Sequence, residues 1–440
     1  MTTVHFDDAL RTTRDAIVET LQQHPGAAAP VIVRGVTGRL RLFLRDDTEP
    51  FDDPWVAALH DRLGAFGEAP DDFVLRPGDF HDPSVIVDAS DLQNVSDNEH
   101  TVLLLDRLPH GEDWLRPLSV QTNRPTRAVL FGIKGGVGRS TALVIWAWWL
   151  ARSGKRVLVV DLDLESPGLS SILLPDALIP PFGVVDGLVE DIVGQVDDSL
   201  IERMAVQSPL SDELAGQIFV VSAAGSDPEW YTTKLLRASL DLPSGETAEE
   251  DGSFAGRLER LIHRLEDRIQ PDVVLLDSRA GLHDIAAVAL TRLGATGFLF
   301  AANTAQTWKA YQILFATWAR HNQVRELRLR LQMVAATVPS NDRGDYLETF
   351  REQSWLLWQK LYDADAAYDD PEAFNFDSDA DDAPHMPLII EWEDRLRHFD
   401  PVRRPEGVNP AYIGAALGHF LDGATRLVVG DAPVVTGEYL

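Results

Sequence analysis

The chain has 440 residues, no cysteine, and 69 Asp and Glu against 39 Lys and Arg, which gives a formal net charge of −30. At roughly 150 residues per domain, this length predicts two or three domains, and the 45% of hydrophobic residues can form a large core. The absence of cysteine excludes disulfides, thiolate metal sites, iron–sulfur clusters and cysteine nucleophiles. The acidic excess argues against non-specific binding to nucleic acid or to an anionic membrane.

The N-terminal sequence MTTVHFDDALRTTRD lacks the basic and apolar regions of a signal peptide. The longest nearly apolar stretch, residues 142–151, has about half of the ~20 residues that a membrane-spanning helix needs. The tail after Leu421 contains one Arg and three acids, so it does not resemble a basic membrane-binding helix. We therefore expect a cytoplasmic protein that does not attach to a membrane.

Residues 1–124 are predicted to form a small α/β domain of unknown role. Helical patterns cover residues 7–23 and 54–66, and apolar strand-like runs cover residues 31–36, 40–46 and 101–108. This part of the chain shows no catalytic constellation. The polar stretch QTNRPT that follows is interpreted as a linker.

Residues 125–440 are predicted to form a second, larger domain, in which short apolar runs alternate with helical patterns. The runs are AVLFGI, RVLVVDLD, IFVVS, VVLLD, GFLFAA, LRLQMVAAT and MPLII. Continuous apolar runs are typical of parallel strands that are buried on both faces. The pattern predicts an α/β fold: a doubly wound, mostly parallel sheet with helices on both faces.

Two segments of this larger domain are interpreted as insertions. Residues 180–216 read mostly as amphipathic helix, and residues 363–382 carry nine acids and no base, which is typical of a solvated loop. Trp146, Trp148 and Trp149 are interpreted as packing residues. The aromatic stripe in residues 305–320 is interpreted as core, with a dimer or partner face as the alternative.

A glycine-rich turn, KGGVGRST at residues 134–141, lies between the first predicted strand of this domain and the helix that follows. Backbone N–H groups at the start of a helix have no intrahelical partner, and the helix dipole adds positive potential, so such a turn can hold phosphate. Glycine leaves space for the phosphates and permits the necessary backbone angles. The hydroxyl of Ser140 is placed to bind Mg²⁺.

Three acids follow two other predicted strands. Asp161 and Asp163 end the strand RVLVVDLD, and Asp277 ends VVLLD. Ligands of open parallel sheets bind beyond the carboxyl ends of the strands, so we expect all three acids at one crevice. A single carboxylate there could simply cap the next helix, but three beside a phosphate-binding turn favour a nucleotide site.

The sequence KGGVGRST resembles the deviant Walker A motif K-G-G-x-G-K-[ST] of the ParA/MinD-type P-loop ATPases. DLDLESPGL is similar to the second acidic motif of that family, VVLLDSRAGL to its Walker B strand, and MPLIIEWEDRL to its closing strand and loop. The resemblance covers about residues 127–428 and excludes the N-terminal block. It implies a P-loop fold, binding of ATP and Mg²⁺, and a homodimer that forms around ATP. It further implies engagement of an unidentified protein partner and slow, partner-stimulated ATP hydrolysis.

The resemblance also implies roles for individual residues. Lys134 corresponds to the lysine that reaches the phosphates of the partner chain in an ATP-bound dimer. Asp161 and Asp163 would hold Mg²⁺ and the attacking water, in an order that stays open, and Asp277 would bind Mg²⁺ through water. Thr141 would contact the α-phosphate. The phosphate-binding set is Lys134, Gly135, Gly136, Val137, Gly138, Arg139, Ser140 and Thr141.

One residue departs from the family pattern, because Arg139 stands where the P-loop lysine is expected. Arginine keeps the charge but is a broad planar fork, and a ~1 Å misplacement at a reaction centre can cost ~10²-fold in rate. The alternative function is therefore a non-hydrolytic ATP sensor or scaffold. Asn341 is a candidate for reading the base, although Asn is common in turns. Arg279 is expected either to contact a phosphate or to form a structural ion pair.

Overall fold

A computed structural model of the chain describes residues 4–45, 50–89, 92–96, 100–107, 112–116, 118–119, 123–241, 251–320, 322–363, 373–404 and 409–430. The chain divides into two compact units, Met1–Glu112 and Asp113–Leu440. Each unit has its own sheet and its own apolar core. Every helix in the described ranges is too short or too polar to cross a bilayer.

Within the described ranges, the first unit contains a mixed five-stranded sheet and three α-helices. Its strands are β1 (Val31–Arg34), β2 (Leu40–Phe43), β3 (Val74–Leu75), β4 (Gln93–Asn94) and β5 (Leu103–Asp106), in the order β3-β2-β1-β5-β4. Its helices are α1 (Phe6–Gln23), α2 (Asp53–Leu63) and α3 (Ser84–Val87). Both helices predicted there are confirmed, as are three strands. The elements β3, β4 and α3 were missed because two to four residues are too few to show a period.

Local sequence explains how the first unit is held together. The carboxylate of Asp52 accepts a hydrogen bond from the Trp55 N–H at 2.9 Å and so caps α2, whose first turn contains a proline. Arg34 on β1 pairs through two hydrogen bonds with Asp106 on the adjacent parallel strand β5. Because both side chains are largely buried, this pair links the centre of the sheet.

In the part of the second unit that the structure describes, eight strands form one sheet. Its strands are β6 (Thr126–Gly132), β7 (Arg156–Leu162), β8 (Ala205–Gln207), β9 (Gln217–Val221), β10 (Val273–Ser278), β11 (Thr296–Ala301), β12 (Leu331–Val338) and β13 (Leu388–Glu391). The order is β13-β12-β11-β6-β10-β7-β9-β8, and all neighbours are parallel except the pair β8 and β9. The predicted, mostly parallel sheet is confirmed.

Helices cover both faces of this sheet, as predicted. They are α4 (Arg139–Arg152), α5 (Leu169–Leu173), α6 (Val184–Ile192), α7 (Asp198–Glu202), α8 (Tyr231–Ala238), α9 (Phe254–Ile269), α10 (Asp284–Leu290), α11 (Ala305–Arg320), α12 (Arg343–Trp358) and α13 (Pro410–Val429). Alternate residues of β6 enter two separate cores: Ala128 and Leu130 pack with α4 and α13, whereas Val129 and Phe131 pack with α9 to α12. The strand is therefore buried on both sides.

The two segments interpreted as insertions contain more structure than their sequences indicated. Residues 180–216 hold α6 and α7, but also the edge strand β8, which was missed because it has three residues. Of the acidic segment, residues 364–372 lie outside the described ranges. Its later acids, Asp377, Asp379, Asp381 and Asp382, are exposed as expected of a solvated face. Phe374 and Phe376, in contrast, pack against the main core.

Candidate functional site

The glycine-rich turn leads from the end of β6 directly into α4. Gly136 has φ +76° and Gly138 has φ +80°, a left-handed conformation that side chains other than glycine rarely adopt. Gly138 is the N-cap residue of α4, and no side chain caps the helix. The backbone N–H groups of the first helical turn are consequently open to an external anion.

Most of the turn is accessible. Lys134, Gly135, Gly136 and Gly138 are exposed, whereas Val137 is buried. Ser140 and Thr141, in the first turn of α4, are half-buried. The turn therefore presents a continuous polar surface at the carboxyl end of β6, anchored by one apolar side chain.

Tyr311 on α11 forms hydrogen bonds that fix the start of the glycine-rich turn. Its hydroxyl donates to the Phe300 carbonyl at 2.8 Å and accepts a hydrogen bond from the Ile133 backbone, where the turn begins. The side chain is completely buried, and this burial raises the pKa of its hydroxyl. The aromatic stripe of α11 is core, as expected, but the sequence did not indicate that Tyr311 also fixes the start of the turn.

Arg139, the residue that departs from the family pattern, lies against the end of β6. The residue is 8% exposed, and its Nη1 is 3.5 Å from the Gly132 carbonyl oxygen. A Cβ atom at Gly132 would lie 3.1 Å from the Arg139 Cδ, so the glycine makes room for the arginine. Burial raises the pKa of both Asp163 and Asp277, and the guanidinium charge of Arg139 opposes that rise, so Arg139 is within electrostatic reach of the acids.

Asp161 ends β7 and holds the segment that follows. Its carboxylate accepts hydrogen bonds from the N–H groups of Asp163 at 3.2 Å, Gly168 at 3.3 Å and Leu169 at 3.2 Å. Burial, with a smaller contribution from the charge of Asp277, raises the pKa of Asp161 to about 8. Residues 163–168, called the β7 loop below, are thus folded around this carboxyl group.

Asp277 ends β10 and differs from Asp161 in having an unused oxygen. The residue is 3% exposed, and its buried Oδ1 has no hydrogen-bond partner. Burial raises its pKa to about 6, against the opposing effects of a hydrogen bond with the Ser140 side chain and the charge of Arg139. An unpaired buried carboxylate oxygen is costly, so it indicates a position for an external ligand.

Asp163 is half-buried in the β7 loop. Its Oδ1 accepts a hydrogen bond from the Ser166 N–H at 3.2 Å. Burial raises the pKa of Asp163, while the charges of Arg139 and Arg279 oppose that rise. The sheet therefore brings all three predicted acids to the same end of neighbouring strands, beside the glycine-rich turn.

The side chains present suit a magnesium ion that is shared with a phosphate. Mg²⁺ commonly takes one or two carboxylates together with substrate phosphates and water. The unpartnered Asp277 Oδ1 and the adjacent Ser140 hydroxyl supply such oxygens. Within the described ranges, no group of three or more His, Asp or Glu side chains could hold a metal alone. The site fits Mg²⁺ if the nucleotide completes its coordination.

A second loop, residues 279–283, follows β10 and faces the β7 loop. The Glu165 carboxylate of the β7 loop lies 2.9 Å from Arg279 Nη1, with which it forms an ion pair, and 3.0 Å from His283 Nε2. This β10 loop is also fixed to β6, because the Gly281 N–H donates to the Gly132 carbonyl at 3.0 Å. Of the two expectations for Arg279, the structure shows the ion pair.

Two positions illustrate what sequence reasoning missed and what it left open. Tyr231, at the start of α8, donates a hydrogen bond to the Leu164 carbonyl at 2.7 Å and so links α8 to the β7 loop. No motif contains Tyr231, so its sequence context gave no signal. Asn341 is exposed in the turn before α12, and its suggested contact with a base stays a prediction.

Comparison with known proteins identifies the family of the second unit. Residues 128–338 match the model of the CobQ/CobB/MinD/ParA nucleotide binding domain. They form a nucleotide-binding domain of the CobQ/CobB/MinD/ParA family. The matched range begins in β6 and ends with β12, so this MinD/ParA-type domain includes the phosphate-binding turn and all three acids. Curated proteins give no match to the chain.

Several solved structures are similar to the chain. A ParA family ATPase from Chlorobium tepidum TLS is 12% identical, with a TM-score of 0.42, and the match covers 68% of this chain and 99% of the other. A plasmid partition protein from Borrelia burgdorferi B31 bound to AMPPNP is 17% identical, with a TM-score of 0.41 and coverages of 69% and 99%. The MinC:MinD cell division complex of Aquifex aeolicus is 15% identical, with a TM-score of 0.41 and coverages of 70% and 98%.

Proposed function

We propose that the MinD/ParA-type domain binds ATP with Mg²⁺ and acts as a molecular switch. In this proposal two chains dimerise around ATP, the dimer engages a protein partner, and slow hydrolysis releases that partner. The observation that carries the proposal is the unpartnered, buried Asp277 Oδ1 beside Ser140, at the start of an uncapped helix. A carboxylate, a hydroxyl and open N–H groups at one point suit a metal–phosphate ligand.

Each part of the site has a separate task in this proposal. The N–H groups of the turn and of the first turn of α4 hold the phosphates, while Ser140 and Asp277 hold Mg²⁺. The metal supplies positive charge where charge builds up on the phosphoryl group during transfer. Asp163, which is half-buried, orients the attacking water. Asp161 contributes by holding the β7 loop, because its oxygens already accept three backbone N–H groups.

Lys134 is proposed to act on a second copy of the chain. Its side chain is exposed, unlike that of Arg139, so it can extend away from its own phosphate-binding turn. A nucleotide can favour a dimer only through contacts that the monomer lacks, and a lysine supplied by the partner chain is such a contact. The net charge of −30 disfavours non-specific DNA as the partner and favours a protein.

A non-hydrolytic sensor is the second candidate, and the position of Arg139 favours it. The guanidinium is directed to the Gly132 carbonyl, and the residue as a whole is 8% exposed. In that position it holds the end of β6 and adds charge near the acids, without reaching into the open turn. Such an arrangement would support nucleotide binding more readily than the close positioning that phosphoryl transfer needs.

Light-scattering mass, measured with and without ATP and Mg²⁺, tests dimer formation. We expect the wild type to double in mass with ATP·Mg²⁺ and Lys134→Ala to stay a monomer. The exposed Lys360 is a matched control, and Lys360→Ala should dimerise normally. A full ATP-dependent dimer of Lys134→Ala would contradict the trans role of Lys134.

Phosphate release in the same samples separates the switch from the sensor. Slow turnover by the wild type supports the switch. Binding and dimerisation without turnover support the sensor, and in that case Arg139→Lys should gain phosphate release. If the wild type fails to bind ATP·Mg²⁺ at all, both candidates are wrong.

A further inference from the structure

One carboxylate oxygen joins the two loops that border the proposed nucleotide site. Glu165 Oε1 lies 2.9 Å from Arg279 Nη1 and 3.0 Å from His283 Nε2. The three side chains are partly exposed, at 31%, 42% and 35% respectively. We call them the Glu165 cluster. Partly exposed ion pairs of this kind are weak, so a competing anion can displace one member.

His283 is the fixed member of the cluster. It is the N-cap residue of α10, where its Nδ1 accepts a hydrogen bond from the Ile285 N–H at 3.5 Å. The other ring nitrogen, Nε2, lies 3.0 Å from Glu165 Oε1. Movement of His283 would therefore cost both the cap and the contact with Glu165.

Arg279 is the member that can move. It stands two residues after Asp277 and two before Gly281, whose N–H is tied to the Gly132 carbonyl of β6. The backbone on both sides of Arg279 is thus anchored beside the phosphate-binding turn, while its side chain is 42% exposed. Its charge already acts on Asp163, which shows that the guanidinium is close to the acids of the site.

We propose that Arg279 distinguishes a nucleoside triphosphate from a diphosphate. In the empty site it pairs with Glu165, and in the loaded site it leaves Glu165 for the terminal phosphate. A phosphate offers bidentate, doubly charged acceptors, whereas Glu165 offers one oxygen that is shared with His283. This inference rests on the proposed ATP site. Glu165 then competes with the terminal phosphate and reduces the affinity for triphosphate.

The competition predicts opposite effects for two substitutions. Arg279→Gln should weaken binding of Mg²⁺·AMPPNP about tenfold, and that of Mg²⁺·ADP less than about twofold, because the arginine's charge-assisted contact is made to the terminal phosphate alone. Glu165→Gln removes the competitor, so it should strengthen AMPPNP binding several-fold and leave ADP binding nearly unchanged. Isothermal titration of each variant and of the wild type with each nucleotide measures these changes in affinity.

A distant ion pair provides matched controls. Arg268 Nη2 and Glu202 Oε1 are 2.7 Å apart on α9 and α7, and both side chains are more than half exposed. Arg268→Gln and Glu202→Gln should change neither nucleotide affinity. Hydrogen exchange of the nucleotide-free protein gives a second measurement, because both Glu165→Gln and Arg279→Gln should accelerate exchange in residues 163–168 and 279–283.

The outcomes separate this inference from the function on which it rests. If the wild type binds neither nucleotide, the proposed ATP site is wrong, and so is the proposed role of Arg279. If the wild type binds both nucleotides but Arg279→Gln weakens the binding of both equally, the ATP site stands and the proposed role of Arg279 is overturned. Weaker AMPPNP binding in Glu165→Gln would also overturn it, since Glu165 would then assist the triphosphate.

Discussion

Asp161 and Asp277 lie opposite each other on the adjacent parallel strands β7 and β10, and both carboxyl groups are buried. Burial raises the pKa of Asp161 to about 8 and that of Asp277 to about 6, and the charge of Asp277 contributes to the shift of Asp161. A carboxyl whose pKa rises on folding contributes stability at low pH and loses that contribution as the pH rises through the folded value. Without a cation, this part of the site is therefore destabilised by its own charges above neutral pH.

Removal of one of these charges should stabilise the metal-free protein. At pH 8 we expect Asp277→Asn to raise the melting temperature by a few degrees, because about 1 kcal/mol of desolvation and repulsion is removed. The wild type should lose stability between pH 5 and pH 8.5, and the variant should lose less. Addition of Mg²⁺ with AMPPNP should stabilise the wild type but not the variant. The exposed Asp379→Asn is the control, and identical pH profiles for wild type and Asp277→Asn would contradict the interpretation.

Gly136 and Gly135 allow backbone strain to be separated from obstruction of the ligand. A methyl group would meet no atom within 4 Å at either position, but Gly136 has φ +76°. Gly136→Ala should lower stability by about 1 kcal/mol through strain, whereas Gly135→Ala should not. Both should weaken AMPPNP binding, since each adds a methyl to the exposed turn. Thermal unfolding and nucleotide titration measure the two effects, and equal destabilisation by both variants would refute the difference.

Arg127 and Glu266 form a buried ion pair between β6 and α9, with both side chains 1% exposed. Arg127 Nε and Nη2 lie 2.6 Å and 2.7 Å from the two carboxylate oxygens, and Nη1 is 2.7 Å from the Leu293 carbonyl. Glu266→Ala leaves a buried, unpaired charge and should cost about 3–5 kcal/mol of unfolding free energy in urea. The double variant Arg127→Met/Glu266→Leu should recover most of that loss. A double variant as unstable as Glu266→Ala would show that the pair itself is stabilising.

His263 on α9 should make stability fall at mildly acidic pH. Burial lowers its pKa to about 4, the charges of Arg127 and Arg124 add to this shift, and Asp267 opposes it. A histidine whose pKa falls on folding contributes stability above its ordinary pKa of 6.5 and loses that contribution as the pH falls towards the folded value. Relative to wild type, His263→Gln should lose roughly 1–2 kcal/mol less between pH 7.5 and pH 5. Urea unfolding at the two pH values measures this, and parallel losses would disprove it.

The sequence predicted those features of the site that depend on local chemistry. Glycine at Gly136 and Gly138 marks the turn because few other residues tolerate positive φ, and the acids Asp161 and Asp277 are recognisable because each ends a continuous apolar run. The mostly parallel orientation of the strands in the large sheet follows from the same runs. These signals are each contained within about ten residues of sequence, which a periodicity or a motif can describe.

Contacts between distant segments could not be predicted in the same way. Glu165 and Arg279 belong to different strand ends, and nothing in their neighbouring residues indicates that they meet. Tyr231 and Tyr311 show a helical or apolar context that is equally compatible with ordinary packing, yet each donates to a backbone carbonyl beside the site. Which distant residues meet depends on the order of the strands in the sheet, and the apolar runs in the sequence do not specify that order.

The packing of α4 has a consequence for how nucleotide occupancy is communicated. Ten of its 14 residues are buried, and Trp146 packs edge-on against Phe298 and Phe420 while its Nε1 donates to the Thr425 hydroxyl at 3.1 Å. In the proposed function, a helix held this tightly between the sheet and α13 gives the phosphates a binding point that does not move. We therefore expect nucleotide binding to change the β7 and β10 loops and to leave the hydrophobic core around α4 unchanged.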